Sequence, residues 1–263
     1  MIFGMPTLIE NDSLEKNVAL CRKLGLDFIE LNMNFPEYQL DVLKKRDLKR
    51  IAADHGIFFT LHLDERMDIA DFNPLVSAAY RETVRRAIDL AIETGMPVLN
   101  MHMNHGIHIT LPDRKVKMYE RNREEYLDSF RAFRRMCADT AGDAPLRICA
   151  ENTDGFTSFE KEAMELMLEE DLFGLTWDIG HSAAIGETDL NWIMEHAERL
   201  AHFHIHDGSF VPPKNHLALG DGEIPLAERL NLAKKQGCRC VLETKTAEAL
   251  EKSVEWLKQA GFR

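Results

Sequence analysis

Residues 146–178, LRICAENTDGFTSFEKEAMELMLEEDLFGLTWD, carry the pattern that decides the fold. They begin with an apolar run at 146–151, which is too short for a helix and is typical of a buried parallel strand. Thr157 and Glu160 have the spacing of a helix capping box, and apolar residues then follow at helical spacing. A second apolar run covers 175–178. The stretch therefore predicts a strand, a helix and a second strand in succession.

The same alternation continues along the whole chain. Short apolar runs occur at residues 2–4, 28–31, 58–62, 98–102, 146–151, 175–178, 203–206 and 240–243. Helical patterns separate them, with a predicted C-cap at Gly25, an N-cap at Asn73 and a helix end at Gly95. Further helical patterns cover about 41–54, 122–140, 189–199, 225–236 and 247–260.

Eight strands alternating with eight helices predict an α/β protein with a single (β/α)8 barrel domain over residues 1–263. An open doubly wound sheet is the alternative, but the glycine-rich phosphate-binding fingerprint expected after its first strand is absent. Residues 103–120 interrupt the rhythm as a long connection between a strand and a helix. Long connections at this face of a barrel often act as lids.

Charge and composition exclude several kinds of partner. The chain has 44 acidic and 32 basic side chains, so its formal net charge is −12. Because proteins that grip nucleic acid need a basic surface, we expect no nucleic-acid partner. We also expect no membrane association, since no apolar run approaches the roughly 18–20 residues that cross a bilayer. The N-terminus lacks a secretory pattern and the five cysteines form no CxxC pair, which predicts a cytoplasmic protein with reduced thiols.

Most of the apolar runs end in a residue that can bind a metal or move a proton. These residues are Glu30, His62, His102, Glu151, Asp178, His204, His206 and Glu243. In a barrel of parallel strands these ends meet at one face, where chemistry collects. Carboxylates gathered there without a cation would repel one another and lose solvation. A divalent cation with mixed carboxylate and imidazole ligands removes that conflict, so the pattern predicts a metal site.

Motifs over the second half of the chain resemble the xylose isomerase-like TIM barrel superfamily. This superfamily includes sugar phosphate isomerases and epimerases, ketose 3-epimerases, inosose dehydratases and the endonuclease IV group of AP endonucleases. The motifs are Glu151-Asn152-Thr153, Trp177-Asp178-Ile179-Gly180-His181, Phe203-His204-Ile205-His206-Asp207, Leu219-Gly220-Asp221-Gly222 and Leu242-Glu243-Thr244. The resemblance implies one divalent ion (manganese, magnesium, cobalt or zinc) held by Glu151, Asp178, His204 and Glu243. It implies a substrate or metal contact for His181.

The chemistry of these residues agrees with a metal-dependent isomerase or epimerase acting on a small sugar, sugar phosphate or polyol. A hard cation can polarise a sugar carbonyl and its neighbouring hydroxyl. Glu151 and Glu243, on opposite sides of the barrel, would remove and return a proton through an enediolate. His62, His102 and His206 would orient hydroxyls or share the developing charge. Barrels of this family often pair, so a homo-oligomer is a further expectation.

Two departures from the ketose 3-epimerases disfavour an ordinary ketohexose substrate. Those enzymes carry a glutamate shortly after the first metal glutamate, where this chain reads Asp154-Gly155-Phe156-Thr157. They also carry an arginine beyond the strand-7 histidine, where this chain reads Gly208-Ser209-Phe210-Val211.

A zinc phosphodiesterase like endonuclease IV is the alternative function. The residues that match its cluster of three zinc ions are His62, His102, Glu151, Asp178, His181, His204, His216 and Glu243. Lys214 stands where that group has an aspartate ligand, so the cluster would be incomplete. The acidic net charge also opposes binding to DNA. A sugar-binding relative without catalytic activity is the third alternative.

Overall fold

Eight parallel strands pair side by side until the last meets the first, closing a barrel in the computed structural model, which describes all 263 residues. The predicted (β/α)8 barrel is confirmed. Twelve strands occur in chain order: β1 (Ile2–Pro6), β2 (Phe28–Asn32), β3 (Phe58–His62), β4 (Val98–His102), β5 (His108–Thr110), β6 (Lys115–Lys117), β7 (Arg147–Glu151), β8 (Phe173–Asp178), β9 (Leu200–Ile205), β10 (Asp207–Phe210), β11 (Pro213–Leu217) and β12 (Arg239–Leu242). The barrel contains all of them except β5, β6, β10 and β11.

Helices surround the barrel and connect its strands. They are α1 (Leu14–Leu24), α2 (Leu40–Leu43), α3 (Leu48–His55), α4 (Pro74–Thr94), α5 (Met118–Arg121), α6 (Arg123–Ala141), α7 (Ser158–Leu168), α8 (Ile179–Ala184), α9 (Leu190–Glu195), α10 (Leu226–Gln236) and α11 (Ala247–Gln259). None of them combines the length and the apolar character needed to cross a membrane.

Local sequence signals set several helix ends as predicted. Gly25 and Gly95 adopt left-handed backbone conformations at the ends of α1 and α4, with φ of 69° and 75°. Asn73 caps α4 by accepting a hydrogen bond from the Leu75 N–H at 3.1 Å. The capping box is present as well, since the Glu160 carboxylate accepts the Thr157 N–H at 2.7 Å. These caps satisfy backbone groups that a helix end otherwise leaves without partners.

The single helix predicted at about 41–54 is wrong. The segment forms two helices, α2 and α3, because Asp47 begins a new helix. Its side chain accepts the Arg50 N–H at 3.1 Å, which is the contact of an N-cap residue.

Two antiparallel hairpins lie outside the barrel and were not predicted. One, formed by β5 and β6, lies within the long connection at residues 103–120, and the other, formed by β10 and β11, follows β9. The first connection is attached to its surroundings by two contacts. The Tyr119 hydroxyl donates to Asp68 Oδ2 at 2.7 Å, and His105 Nδ1 lies 2.7 Å from Glu160 Oε1. Its role as a lid stays a prediction.

The inside of the barrel is apolar near the start of the strands and polar toward their ends. Phe28 of β2 stacks on Phe58 of β3 with ring centroids 4.9 Å apart. Gly4 makes room for this pair, since a Cβ there would lie 2.6 Å from the Phe28 ring. Two residues further along β2 is Glu30, on the same face of the strand, and it contacts histidines across the barrel. The barrel interior therefore changes within one strand from aromatic packing at Phe28 to polar contacts at Glu30.

Candidate metal centre and active site

A cavity of about 570 Å³ opens at the C-terminal ends of the barrel strands. Six residues that the sequence predicted for the site line it: His62, His102, Glu151, His181, His216 and Glu243. Asp178, His204 and His206 are fully buried beneath it. All nine predicted residues thus gather at one end of the barrel, in two layers.

Four of these residues converge on a single point. The potential ligand atoms of Glu151, Asp178, His204 and Glu243 all lie within 4.8 Å of one another. Nδ1 of His204 is 3.2 Å from Glu151 Oε2, 3.0 Å from Glu243 Oε2 and 3.9 Å from Asp178 Oδ2. The ends of β7, β8 and β9 and the residue after β12 supply the four side chains.

The donor atoms in this cluster fit a divalent cation. His204 Nδ1, His181 Nδ1 and Glu243 Oε2 are buried and have no hydrogen-bond partner of acceptable geometry. Because almost all buried polar atoms have such partners, three atoms without one in the same place suit a site for a cation. Three carboxylates and one imidazole form a donor set that suits magnesium, manganese, cobalt or zinc.

Electrostatics keeps Glu151 and Glu243 ionised. Burial alone would raise the pKa of Glu151, but His204 and His102 outweigh it and hold this pKa well below its ordinary value. At Glu243, His204 and Lys245 likewise outweigh the effect of burial, so the pKa of Glu243 is also lowered. The pKa of His204 is raised, because Glu151 and Glu30 outweigh the effect of burial. Without a cation, the histidines therefore supply the positive charge that balances the carboxylates.

His62 and His102 flank Glu151 on the cavity wall. Their Nε2 atoms lie 3.4 Å and 3.3 Å from Glu151 Oε2. The Nδ1–H of His62 donates to the Leu63 carbonyl at 2.8 Å, which directs Nε2 toward the cavity. Burial lowers the pKa of His62, but the hydrogen bond and charge of Glu151 raise it to about 9. A ligand lying beside Glu151 would therefore meet two imidazoles.

Asp178 is held by its neighbour Asn152 and by the start of α8. Asn152 Oδ1 accepts the Asp178 N–H at 2.7 Å, and Asn152 Nδ2 donates to the Asp178 carbonyl at 3.0 Å. The Asp178 carboxylate caps α8 by accepting the His181 N–H at 2.7 Å. Asn152, which the sequence did not single out, thus fixes the backbone of a predicted ligand.

Comparison with known proteins agrees with the barrel fold. Residues 18–260 match the model of a family described as xylose isomerase-like TIM barrel. The chain belongs to this family. A search of curated proteins finds no significant match to it.

Solved structures of similar fold include several sugar epimerases. A D-tagatose 3-epimerase-like protein is 22% identical with a TM-score of 0.78, over 98% of this chain and 96% of that one. The 3-keto-D-glucoside 4-epimerase of E. coli, in its apo form, is 16% identical with a TM-score of 0.75, over 98% of this chain and 99% of that one. The IolI protein with a bound zinc atom is 17% identical with a TM-score of 0.71, over 99% and 96%. At these identities the likeness shows a shared fold.

In this xylose isomerase-like chain, His206 lies beneath the cavity and makes a polar contact through each of its two ring nitrogens. Its Nε2 lies 3.0 Å from Asp178 Oδ1, and its Nδ1 accepts the His216 N–H at 2.7 Å. Gly180 leaves room for this ring, since a Cβ there would lie 1.8 Å from it. The sequence predicted that His206 orients substrate hydroxyls, but its position favours orienting Asp178 instead.

His216 lies above His206 with an unusual backbone. Its φ of 55° is in the left-handed region, which a residue other than glycine adopts only where its surroundings require it. Its Nδ1–H donates to the Glu243 carbonyl at 3.0 Å. Burial is the main cause that lowers the pKa of His216 to about 4. His216 is therefore neutral near pH 7, with an Nε2 lone pair available to a ligand.

A metal ion held by His181, His206 and His216 would need hydrogen bonds to break. His181, His206 and His216 have potential ligand atoms within 4.8 Å of one another. His206, however, has no free lone pair while it accepts the His216 N–H. Lys214, at the aspartate position of the endonuclease IV cluster, lies on the exposed part of β11. The hydrogen bonds thus disfavour a metal held by these three histidines, and Lys214 leaves the aspartate position of the zinc cluster without a ligand.

Asp207 organises the glycine-rich loop that leads toward β12. Its carboxylate accepts four backbone N–H groups, those of Gly208 at 2.8 Å, Gly220 at 2.9 Å, Gly222 at 2.9 Å and Ile224 at 3.2 Å. A side chain at Gly222 would collide with this arrangement, since its Cβ would lie 2.3 Å from Asp207 Oδ1. The Leu219–Gly222 motif is therefore explained by a buried carboxylate that needs close backbone donors.

We expect Asp207→Asn to lower the free energy of unfolding by about 2–4 kcal/mol, because its amide would face N–H donors and leave them unsatisfied. Denaturant unfolding followed by circular dichroism measures the loss. Asp221→Asn is the matched control: it lies in the same loop, and its exposed carboxylate pairs with Lys252. The control should change stability by less than about 1 kcal/mol. Equal losses in the two variants would contradict this role for Asp207.

The sequence missed a polar layer below the predicted site. Asn100 Nδ2 donates to Glu151 Oε2 at 2.6 Å, and Thr176 Oγ1 donates to Asn100 Oδ1 at 2.5 Å. Glu30 was expected at the rim, but it lies inside the barrel with His202 and His204. His202 lies two residues before His204 on β9, and this spacing could have identified it, because residues two apart share a face of a strand.

Proposed function

We propose that this chain is a divalent-metal-dependent isomerase or epimerase that acts on a small sugar, sugar phosphate or polyol. The observation that carries the proposal is the position of Glu151 and Glu243. Their Oε2 atoms approach the same His204 nitrogen, at 3.2 Å and 3.0 Å, from strands on different sides of the barrel. Two carboxylates facing one point from two sides suit a reaction that removes a proton on one face and returns it on the other.

The metal would be held by Glu151, Asp178, His204 and Glu243. When bound, it would polarise a sugar carbonyl and the adjacent hydroxyl and so make the neighbouring C–H more acidic. The three carboxylates and the imidazole would balance the charge of the ion. Asn152 and His206 would keep Asp178 in place for this task.

Each glutamate has a local environment suited to carrying a proton. Both have lowered pKa values and are therefore ionised and ready to act as bases. Glu243 Oε1 pairs with Lys245 Nζ at 2.9 Å, which leaves Oε2 facing the cluster. Glu151 Oε2 accepts from Asn100, so its other oxygen, Oε1, faces His181 at 3.5 Å.

The cavity suits a ligand with many hydroxyl groups. Only three of its seventeen lining residues are hydrophobic, so a polar ligand would lose few hydrogen bonds on entry. His62 and His102 would meet the ligand beside Glu151, and His181 and His216 would meet it elsewhere on the wall. The names of structural neighbours, among them 3-keto-D-glucoside 4-epimerase and a D-tagatose 3-epimerase-like protein, support a sugar as substrate.

Exchange of carbon-bound hydrogen with solvent tests the proposal directly. We expect purified protein loaded with manganese, magnesium, cobalt or zinc to introduce deuterium from D2O at one carbon of its substrate. Proton NMR of a panel of ketoses, polyols and their phosphates would show this exchange as the loss of a single signal. The panel should extend beyond ketohexoses, because the chain lacks the additional glutamate and arginine of the ketose 3-epimerases.

Metal content separates the alternatives. About one divalent ion per chain by plasma mass spectrometry, together with deuterium exchange, would support the isomerase or epimerase. Two or three zinc ions with hydrolysis of a phosphodiester would support the endonuclease IV-like alternative. A chain that binds polyols without metal and without exchange would be a sugar-binding relative.

A further inference from the structure

Glu30 is a buried carboxylate without a role in the proposed proton transfer. It lies on β2 inside the barrel with 2% of its surface exposed, and it does not line the cavity. Its Oε1 is 2.7 Å from His204 Nε2, and its Oε2 is 2.9 Å from His202 Nε2. The Thr60 hydroxyl also donates to Oε2, at 3.0 Å. Such a group is costly to bury, so its retention calls for an explanation.

These contacts are direct hydrogen bonds rather than a second metal site. The nitrogen–oxygen distances of 2.7 Å and 2.9 Å are those of N–H···O hydrogen bonds, whereas His204 Nδ1 in the predicted ligand cluster has no hydrogen-bond partner. An ionised carboxylate only accepts hydrogen bonds, so both Nε2 atoms must carry a proton.

The proton on His204 Nε2 decides what the other nitrogen can do. With Nε2 protonated, a neutral imidazole has its lone pair on Nδ1. That nitrogen faces Glu151, Asp178 and Glu243, at the centre of the predicted ligand cluster. The opposite tautomer would aim an N–H at the same point and could not bind a metal there.

We propose that Glu30 is a positioning residue that holds His204 in the tautomer whose Nδ1 binds the metal, and that His202 and Thr60 keep Glu30 in place. This inference rests on the metal centre of the proposed function. A carboxylate behind a ligating imidazole fixes the ring and raises its basicity, and loss of such a partner typically weakens metal affinity about 10–100-fold.

The first test compares metal binding by Glu30→Gln and wild type. Zn²⁺ and Co²⁺ alone are the probes, with dissociation constants from competition with a chromophoric chelator. We expect about 10–100-fold weaker binding by Glu30→Gln, because the amide lacks the charge and presents an acceptor to only one histidine. Glu160→Gln is the matched control. Glu160 is equally buried and lies 2.7 Å from His105, but it contacts no predicted ligand, so this control should stay within about twofold of wild type.

The outcomes separate this inference from the proposed function. A wild type that binds neither metal would overturn the metal centre and the proposed function. A wild type that binds metal while Glu30→Gln binds it equally well would overturn only the role of Glu30.

The second test needs no variant and so does not depend on folding of Glu30→Gln. Nitrogen-15 NMR of histidine-labelled, zinc-loaded wild type reports which ring nitrogen carries a proton. We expect His204 to be protonated at Nε2 and bound to zinc through Nδ1. Zinc on Nε2, or a proton on Nδ1, would overturn the inference.

Discussion

Glutamine at position 151 or 243 is expected to slow interconversion of the two substrate epimers by about 10²–10⁴-fold, the usual contribution of a general acid or base. Each variant should nevertheless retain half of the chemistry. The remaining glutamate can still remove the proton on its own side of the sugar, although it can return it only to that side. Glu151→Gln should therefore exchange the C–H of one epimer with solvent, and Glu243→Gln that of the other.

Proton NMR in D2O, started separately from each epimer, measures this complementary pattern. Because both glutamates are also predicted metal ligands, metal content is determined for each variant, and rates are compared at saturating metal. Glu223→Gln is the control. Glu223 is exposed in the loop that follows β11 and accepts the Phe210 N–H at 3.1 Å, so its loss should leave both exchange rates within about twofold. Full turnover in either site variant would rule out a proton transfer that uses two glutamates.

The position of the site could be predicted from sequence because parallel strands bring their ends together. Glu151, Asp178 and His204 each lie at or near the end of an apolar run, and Glu243 comes directly after one. Once these runs are arranged as a barrel, the four side chains must face the same end. The structure places their ligand atoms within 4.8 Å of one another. Their roles as ligands and as proton carriers stay predictions.

The buried contacts of Glu30 and His202 beneath the site could not be predicted in the same way. His202 was not among the predicted site residues and Glu30 was expected at the rim, because apolar runs do not reveal how deep a residue lies in the barrel. Depth depends on the register of neighbouring strands, and β9 begins at Leu200, three residues before the predicted run. The contact between Glu30 and His202 joins residues 172 positions apart, so no local pattern reports it.

The two hairpins were missed for a different reason. β5 and β6 are three residues each, and most of their side chains are exposed, so they lack the apolar run that marks a barrel strand. The segment at 41–54 was assigned as one helix because its apolar spacing continues across Asp47, whose capping contact starts a new helix. The start of α3 therefore depends on a short-range hydrogen bond that the periodicity of apolar residues does not reveal.

Removal of metal is expected to lower the melting temperature by about 8–16 °C. A ligand that binds only the folded state at about 1,000 times its dissociation constant adds about 4 kcal/mol of stability. In a domain of roughly this size each kcal/mol shifts the melting temperature by about 2–4 °C. The physical cause lies in the cluster, where the carboxyl groups of Glu151, Asp178 and Glu243 gather in a buried place and Glu243 Oε2 has no hydrogen-bond partner.

Calorimetry of protein treated with a chelator, then dialysed and reloaded with each candidate ion, measures the shift. Asp178→Asn is the matched control, because it removes one carboxylate from the ligand set but keeps an oxygen that can still accept the His181 N–H. Its metal-free form should fold, and its response to added ion should shrink by several degrees, because the cluster would lose a charged ligand. Equal melting temperatures with and without metal in the wild type would mean that the cluster does not bind these ions. The four convergent side chains would then need another positive partner, and the histidines with raised pKa values, His62 and His181 at about 9, are the groups that could supply it.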